Sequence, residues 1–207
     1  SKRFKISPDE TLRIIQELYE KKLVTYPRTD ARVLSSAVAK EIHKNLNGLM
    51  KYSPAAPYLQ DIVSFGSHKN IAKTRYVDDK QITDHYAIVP TGQGVDALAS
   101  LPDVSKKVCD VIVRRFLSIF YPPAVYQKVS IVTKIKEESF FAGFKVLAEE
   151  GYFKVAGVPG KKNAAREERQ ESGEESGQDA DQVFFEKIQA LKKGMVLPVQ
   201  SLEIKEG

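Results

Sequence analysis

The sequence has little cysteine and histidine and no long apolar run. Its 207 residues include one cysteine, Cys109, and three scattered histidines, which excludes an internal disulfide and a four-ligand structural zinc site. No run approaches the roughly 20 apolar residues that a membrane-spanning helix requires, and no apolar signal segment follows the basic residues at 2–5. These absences predict a cytoplasmic protein without an intrinsic metal. Because Cys109 lies in an apolar periodic stretch, it is predicted to be a buried structural thiol.

Charge is distributed unevenly along the chain. The formal net charge is +5, but four of the 32 basic and seven of the 27 acidic residues lie within 161–182. The remainder therefore carries a formal charge of about +8, which favours a polyanionic partner because neutralised phosphates release condensed counterions. Basic proteins that bind no nucleic acid are also common, so composition alone leaves the partner open.

Several segments have the apolar spacing of helices. A capping sequence at Ser7 begins the first helix, which is predicted to extend to about Lys22. Further helices are predicted at 36–49 and at about 104–120, and 58–65 is another candidate. The predicted buried face of the first helix contains Leu12, Ile15, Leu18 and Tyr19.

After Pro123 the apolar residues alternate with polar ones, which is typical of strands. Residues 125–135 and 140–148 are predicted to pair across a charged turn, and strand character returns at 195–199 and 202–204. The pattern predicts an α+β fold in which a mainly helical domain precedes an antiparallel β-domain.

This pattern divides the chain into a helical domain at 1–120 and a β-rich domain at 121–207. Within the second domain, 158–182 is rich in Gly, Ser, Glu and Gln. It has too few apolar residues to offset the entropy of ordering, so we expect a mobile acidic loop.

The segment from Tyr26 to Asp30 combines a phenol with a cation. Pro27 disfavours helical geometry at Tyr26. Arg28 can orient a phosphate and favour phenolate, the nucleophilic form of tyrosine. Asp30 is expected to hold Arg28 in place. The same residue types are common in solvated turns, so on their own they support either interpretation.

A second segment, 83–91, places one histidine before an apolar run and a proline. A histidine there suits a phosphate ligand or a proton donor, because imidazole titrates near neutral pH. Lone histidines are also common on surfaces and in cores. The residue types of this segment therefore leave the role of His85 open.

Together these segments resemble the type IA DNA topoisomerases, most closely the topoisomerase III branch. Residues 25–30, Thr-Tyr-Pro-Arg-Thr-Asp, resemble the active-site tyrosine motif of that family. Residues 85–91 match its histidine motif, His-x-Ala-Ile-x-Pro-Thr, and 115–124 resemble its passage into a β-rich arch domain. One departure is Ala31, where the family commonly has serine.

The resemblance implies that Tyr26 attacks a backbone phosphate of single-stranded DNA and forms a 5′-phosphotyrosine link. Arg28 would stabilise the transition state, and His85 would contact the phosphate. Cleavage and rejoining of one strand would then allow strand passage, with relaxation or decatenation of DNA in the nucleoid. The implied DNA-binding residues are Thr25, Thr29, Asp30, Arg32, Lys73 and Arg75.

The resemblance also implies a larger enzyme. Members of the family hold Mg²⁺ in an N-terminal domain, and nothing resembling that domain is present here. We therefore expect an internal fragment that binds no metal and is inactive alone. The alternative is a non-catalytic module that binds single strands through basic residues, with Tyr76 or Tyr86 stacking a base.

Overall fold

A computed structural model describes residues 4–157 and 191–196. In this part the chain forms two compact units. The first contains 4–125 and 149–157 and is helical, whereas the second contains a β-hairpin and 191–196. The predicted α+β class is confirmed.

The division into domains at 1–120 and 121–207 stays a prediction. Residues 121–125 and 149–157 group with the helical unit. The predicted acidic loop at 158–182 lies outside the described residues.

In the described residues, the helical unit contains five α-helices and four segments of 3₁₀-helix. The α-helices are α1 (Pro8–Glu20), α2 (Ser36–Leu49), α3 (Ala56–Phe65), α4 (Asp103–Ser118) and α5 (Phe153–Ala156). The 3₁₀ segments are Ser53–Ala55, Ser67–Lys73, Asp79–Gln81 and Val95–Ser100. Helices α1 and α5 both pack against α4, which places α4 at the centre of the unit.

Helix α1 begins where the sequence predicts. The Ser7 hydroxyl accepts a hydrogen bond from the Glu10 amide at 3.0 Å, and Pro8 occupies the first turn. The hydrogen bond satisfies one free amide of the first turn, and Pro8 has no amide proton that needs a partner. The start of α1 is therefore determined by local residues.

The predicted buried face of α1 is wrong in part. Leu18 is buried, but its buried neighbour is Ile14, whereas Leu12 and Tyr19 are 41% and 39% exposed. Residues four apart lie on the same stripe of a helix, and α1 offers more than one apolar stripe. Packing against α4 selects the stripe of Ile14 and Leu18.

Helices α2 and α4 match their predictions closely. The buried residues of α2 are Ala39, Ile42, Leu46 and Leu49. In α4 the Cys109 side chain is 2% exposed, and burial raises the pKa of its thiol to about 11. The prediction that Cys109 is a buried structural thiol is therefore confirmed.

The β-hairpin consists of two hydrogen-bonded strands, β1 (Val125–Ile135) and β2 (Glu138–Glu149). All of it except the two end residues, Val125 and Glu149, belongs to the second unit. A two-residue turn joins the strands, and Lys136 adopts a left-handed φ of 54° in this turn. Most side chains of the hairpin are exposed. Of the further predicted strands, 202–204 lies outside the described residues, and 195–196 is described without strand structure.

No helix in the described ranges has the length and apolar character needed to cross a membrane. The same part of the chain has no group of three or more His, Cys, Asp or Glu side chains that is arranged to hold a metal ion.

Candidate active site

Tyr26 lies in an extended segment after α1. The backbone leaves the helix through Lys22, whose φ of 61° is left-handed. The β-branched residues Val24 and Thr25 then favour extended geometry, and Pro27 disfavours a helical Tyr26. Tyr26 therefore lies outside any helix, as the sequence predicts.

The tyrosine and histidine segments are paired through their backbones. Val24 forms an antiparallel bridge with Pro90. The Thr25 amide donates a hydrogen bond to the Val89 carbonyl at 2.9 Å. From α2, the Asn45 side chain donates a hydrogen bond to the Pro90 carbonyl at 2.8 Å. The two predicted motifs thus meet at the end of α2.

This pairing brings Tyr26 and His85 into ring contact. Their ring centroids are 4.5 Å apart, with an angle of 44° between the planes. Tyr26 is half-buried and His85 is exposed. The ring of Tyr19, near the end of α1, meets Tyr26 edge-on at 5.4 Å and 82°. The phenol is therefore held between an aromatic ring and an imidazole.

A surface depression of about 310 Å³ lies beside this ring pair. Its lining residues are Arg28, Thr29, Asp30, Thr83, Asp84 and His85. Arg28 brings a permanent positive charge, and Asp30 and Asp84 bring carboxylates. The cation and the imidazole can both face a phosphate there, whereas the two carboxylates oppose an anion and limit where it can bind.

The hydroxyls of Thr25 and Thr29 bond to the histidine segment. Thr29 donates to the His85 carbonyl at 2.7 Å, and Thr25 donates to the Ala87 carbonyl at 3.2 Å. Thr25 also accepts a hydrogen bond from the Val89 amide at 2.9 Å. The DNA contacts expected of these two threonines stay predictions, and in this structure each hydroxyl proton is given to the main chain.

The ion pair expected between Arg28 and Asp30 does not form. Neither side chain takes part in an ion pair in the part of the chain that the structure describes. Both are exposed, so water competes with the pair and leaves little free energy to order it.

The other predicted DNA-binding cations, Arg32, Lys73 and Arg75, are exposed. Arg75 donates a hydrogen bond to the Tyr76 hydroxyl at 3.4 Å and lies 5.3 Å from the centre of that ring. This hydrogen bond is the largest cause of a raised Arg75 pKa. Among the described contacts, none joins Arg32, Lys73 or Arg75 to Tyr26 or His85.

Three residues that contact or line the candidate site, Tyr19, Asp84 and Asn45, were not predicted as site residues from the sequence. Tyr19 was assigned to the buried face of α1, although it contacts Tyr26. Asp84 directly precedes His85 in the sequence, and this adjacency could have indicated that Asp84 also lies at the site. Asn45 had no signal at all, because one polar residue on α2 does not reveal a partner 45 positions away.

Comparisons with known proteins agree with the motifs. A family model described as DNA topoisomerase matches residues 1–207, the whole chain. DNA topoisomerase 3 of Bacillus subtilis (strain 168) is 36% identical over 209 residues, covering 100% of this chain and 26% of that protein. DNA topoisomerase 3 of Bacillus licheniformis is 38% identical over 152 residues, covering 73% of this chain and 20% of that protein.

This chain thus spans about a quarter of the length of the Bacillus subtilis relative. The family match extends over every residue, and both quoted relatives carry the name of the branch that the motifs resemble. The chain therefore belongs to the DNA topoisomerase family, in its type IA class and close to the topoisomerase III branch.

Proposed function

We propose that Tyr26 is the nucleophile with which a topoisomerase cuts and rejoins one DNA strand. The observation that supports this most directly is the contact between Tyr26 and His85, with centroids 4.5 Å apart, beside a depression lined by Arg28. The contact joins a phenol and an imidazole from two distant segments, and Arg28 lies two residues after the phenol. This combination suits phosphoryl transfer, which depends on a positioned nucleophile and on groups that stabilise the charge of the phosphate.

In the proposed step, the Tyr26 oxygen attacks the phosphorus of a backbone phosphate in single-stranded DNA. A bond forms between that oxygen and phosphorus, and the bond between phosphorus and the 3′ oxygen breaks. The phenol loses its proton, and the departing 3′ oxygen takes one up as a hydroxyl. Because one phosphodiester replaces another, attack by the same hydroxyl reverses the step and rejoins the strand.

Arg28 and His85 assist this step from the depression. The Arg28 guanidinium presents several N–H donors to the phosphate and stabilises the charge that develops on its oxygens. His85 contacts the same phosphate and keeps the scissile segment beside the phenol. Both side chains are exposed, so a strand can reach them without unfolding of the helical unit.

We also propose that the chain works within a longer enzyme that acts on DNA in the cytoplasm. The relatives are several times longer, and their printed name is DNA topoisomerase 3. The described residues contain no group of three or more His, Cys, Asp or Glu side chains arranged to hold a metal ion. We propose that another part of the complete enzyme holds its Mg²⁺, and we assign the ion no step here.

The experiment uses the full-length enzyme and single-stranded oligonucleotides that carry a label at one end. With a 3′ label, trapped cleavage should transfer the label to the protein, because Tyr26 retains the 5′ phosphate of the downstream piece. Tyr26→Phe should abolish this transfer while oligonucleotide binding persists. The matched control is Tyr86→Phe, which removes the hydroxyl of the residue that follows His85 in the sequence and should leave the transfer unchanged.

Two outcomes would contradict the proposal. Labelled protein from the Tyr26→Phe enzyme would exclude Tyr26 as the nucleophile. Transfer of a 5′ label instead of a 3′ label would show the opposite polarity. The 207-residue chain alone should yield no labelled protein. If this chain binds oligonucleotides but the full-length enzyme does not cut them, the non-catalytic binding module is favoured.

A further inference from the structure

The loop that follows Tyr26 is tied to the histidine segment by one side chain. Thr29 donates its hydroxyl proton to the His85 carbonyl at 2.7 Å and accepts a hydrogen bond from the Ala31 amide at 3.1 Å. A threonine hydroxyl has a single proton to donate. In this arrangement Thr29 has none left for a phosphate oxygen, so its use is internal.

No other described hydrogen bond joins this loop to the residues around His85. Backbone bonds between the two segments occur on either side, from Thr25 to Val89 and from Ala87 to Val33. Between 26–31 and 83–86, the Thr29 bond is the one hydrogen bond that the described structure contains. The pairing at Thr25 would survive loss of its hydroxyl, because the backbone bond remains there.

We infer that Thr29 is a positioning residue that holds His85 against Tyr26. Because Thr29 lies three residues after Tyr26, its bond closes a short loop that also carries Arg28. The phenol and the imidazole are thereby held in ring contact before a substrate arrives. The catalytic meaning of this role rests on the proposed function, whereas the positional effect can be measured without it.

The first test measures the position of His85 in the 207-residue chain by proton NMR. The chain has three histidines, so the His85 ring resonances can be assigned with His43→Gln and His68→Gln. The Tyr26 ring current displaces the His85 resonances, and Tyr26→Leu gives their position without that ring. Thr29→Val keeps the shape of the side chain but lacks the hydroxyl, and Thr29→Ser keeps the hydroxyl.

Thr29→Val should move the His85 resonances most of the way to their Tyr26→Leu position, and Thr29→Ser should leave them in place. Unchanged resonances in Thr29→Val would overturn the inference, as would an equal displacement in Thr29→Ser. If circular dichroism shows that Thr29→Val does not fold, Thr29→Ala takes its place. The His85 resonances of Thr29→Ala should then move in the same way, and unchanged resonances would overturn the inference.

The second test separates positioning from DNA contact in the full-length enzyme. Thr29→Val should slow single-turnover cleavage by about tenfold to a hundredfold, the range expected when reacting groups are displaced by about 1 Å. The dissociation constant for uncut oligonucleotide should stay unchanged, and Thr29→Ser should restore the rate. Weaker binding at an unchanged cleavage rate would show that Thr29 contacts DNA and would overturn the inference.

The two proposals fail in different ways. If Tyr26→Phe abolishes cleavage but Thr29→Val leaves the His85 resonances unchanged, the proposed function stands and the role of Thr29 is lost. If Thr29→Val displaces His85 but Tyr26→Phe still cleaves, the positional role stands and the nucleophile is wrong.

Discussion

At the scale of single residues, a close backbone approach links α2 to the turn that follows the histidine segment. Gly48 lies in the last turn of α2, and a Cβ there would stand 2.2 Å from the carbonyl oxygen of Gly92. Gly92 has a left-handed φ of +77°, and its own Cβ would stand 2.7 Å from the Asn45 carbonyl oxygen. Backbone meets backbone here, so neither position has room for a side chain.

Gly48→Ala is therefore expected to destabilise the chain, although alanine normally stabilises a helix interior by about 1 kcal/mol relative to glycine. We expect the free energy of unfolding to fall by about 1–3 kcal/mol, the usual cost of overpacking. Urea unfolding followed by circular dichroism measures this quantity. The matched control is Asn47→Ala, at the exposed neighbouring position, which should be neutral or slightly stabilising. Equal stability of the two variants would show that the approach is not tight.

At the scale of elements, one carboxylate joins three parts of the helical unit. Asp61 of α3 accepts hydrogen bonds from the Tyr121 hydroxyl at 2.8 Å and from Lys154 of α5 at 2.6 Å. The hydrogen bond from Lys154, followed by that from Tyr121, lowers the Asp61 pKa below its usual value of 3.8. Asp61 thus ties α3 to α5 and to the segment that leaves α4.

Asp61→Asn should lower the free energy of unfolding at neutral pH by about 0.5–1 kcal/mol, a modest value because the Lys154 side chain is largely exposed. The folded pKa lies below the unfolded one. The stabilisation is therefore complete above the unfolded value near 3.8 and is lost as pH falls through the lower folded value. Urea titrations of both proteins across this range should show the difference shrinking in acid.

The control for this pair is a double-mutant cycle with Lys154→Gln. The effects of Asp61→Asn and Lys154→Gln should be less than additive at neutral pH, because either change alone breaks the same ion pair. A stability difference that stays constant from neutral pH into acid would contradict the assignment of the effect to the Asp61 charge.

At the scale of the whole molecule, the excess of basic residues outside 161–182 favours binding to phosphates. If the exposed cations bind a DNA strand, the logarithm of the association constant should fall linearly with the logarithm of salt concentration. Each neutralised phosphate of a single strand contributes a slope of about −0.7. Fluorescence anisotropy with a labelled oligonucleotide measures this slope, and Arg75→Gln should reduce its magnitude by about 0.7.

The matched control for Arg75 is Lys44→Gln on α2. Lys44 is exposed but already paired with Glu41 at 2.8 Å, so its replacement should leave the salt slope unchanged. A slope that is flat in the unmodified chain would exclude phosphate contacts. An equal loss of slope in both variants would mean that binding depends on net charge and not on the surface around Arg75.

Local signals in the sequence were sufficient for α1 to α4, for the hairpin and for the position of Tyr26 outside a helix, whereas the short helix α5 was not predicted. The cap at Ser7, the apolar period of α2 and the alternation after Pro123 each act over a few residues. The residue types of the candidate site were visible in the motifs, which contain Tyr26, Arg28 and His85 whatever their arrangement, and the roles of these residues stay proposals. The apolar periodic stretch around Cys109 likewise predicted its burial, which is confirmed.

The contacts that make the site one unit were decided by the tertiary structure. The Tyr26–His85 ring contact, the Thr29 bond to the His85 carbonyl and the Asn45 bond to Pro90 all join residues more than 40 positions apart. The stripe of α1 that is buried depends in the same way on α4, which left Tyr19 exposed beside Tyr26. A local pattern specifies a helix or strand and the residue types that it carries. It does not specify which distant segment that element contacts, because backbone pairing and packing across the whole unit determine those contacts.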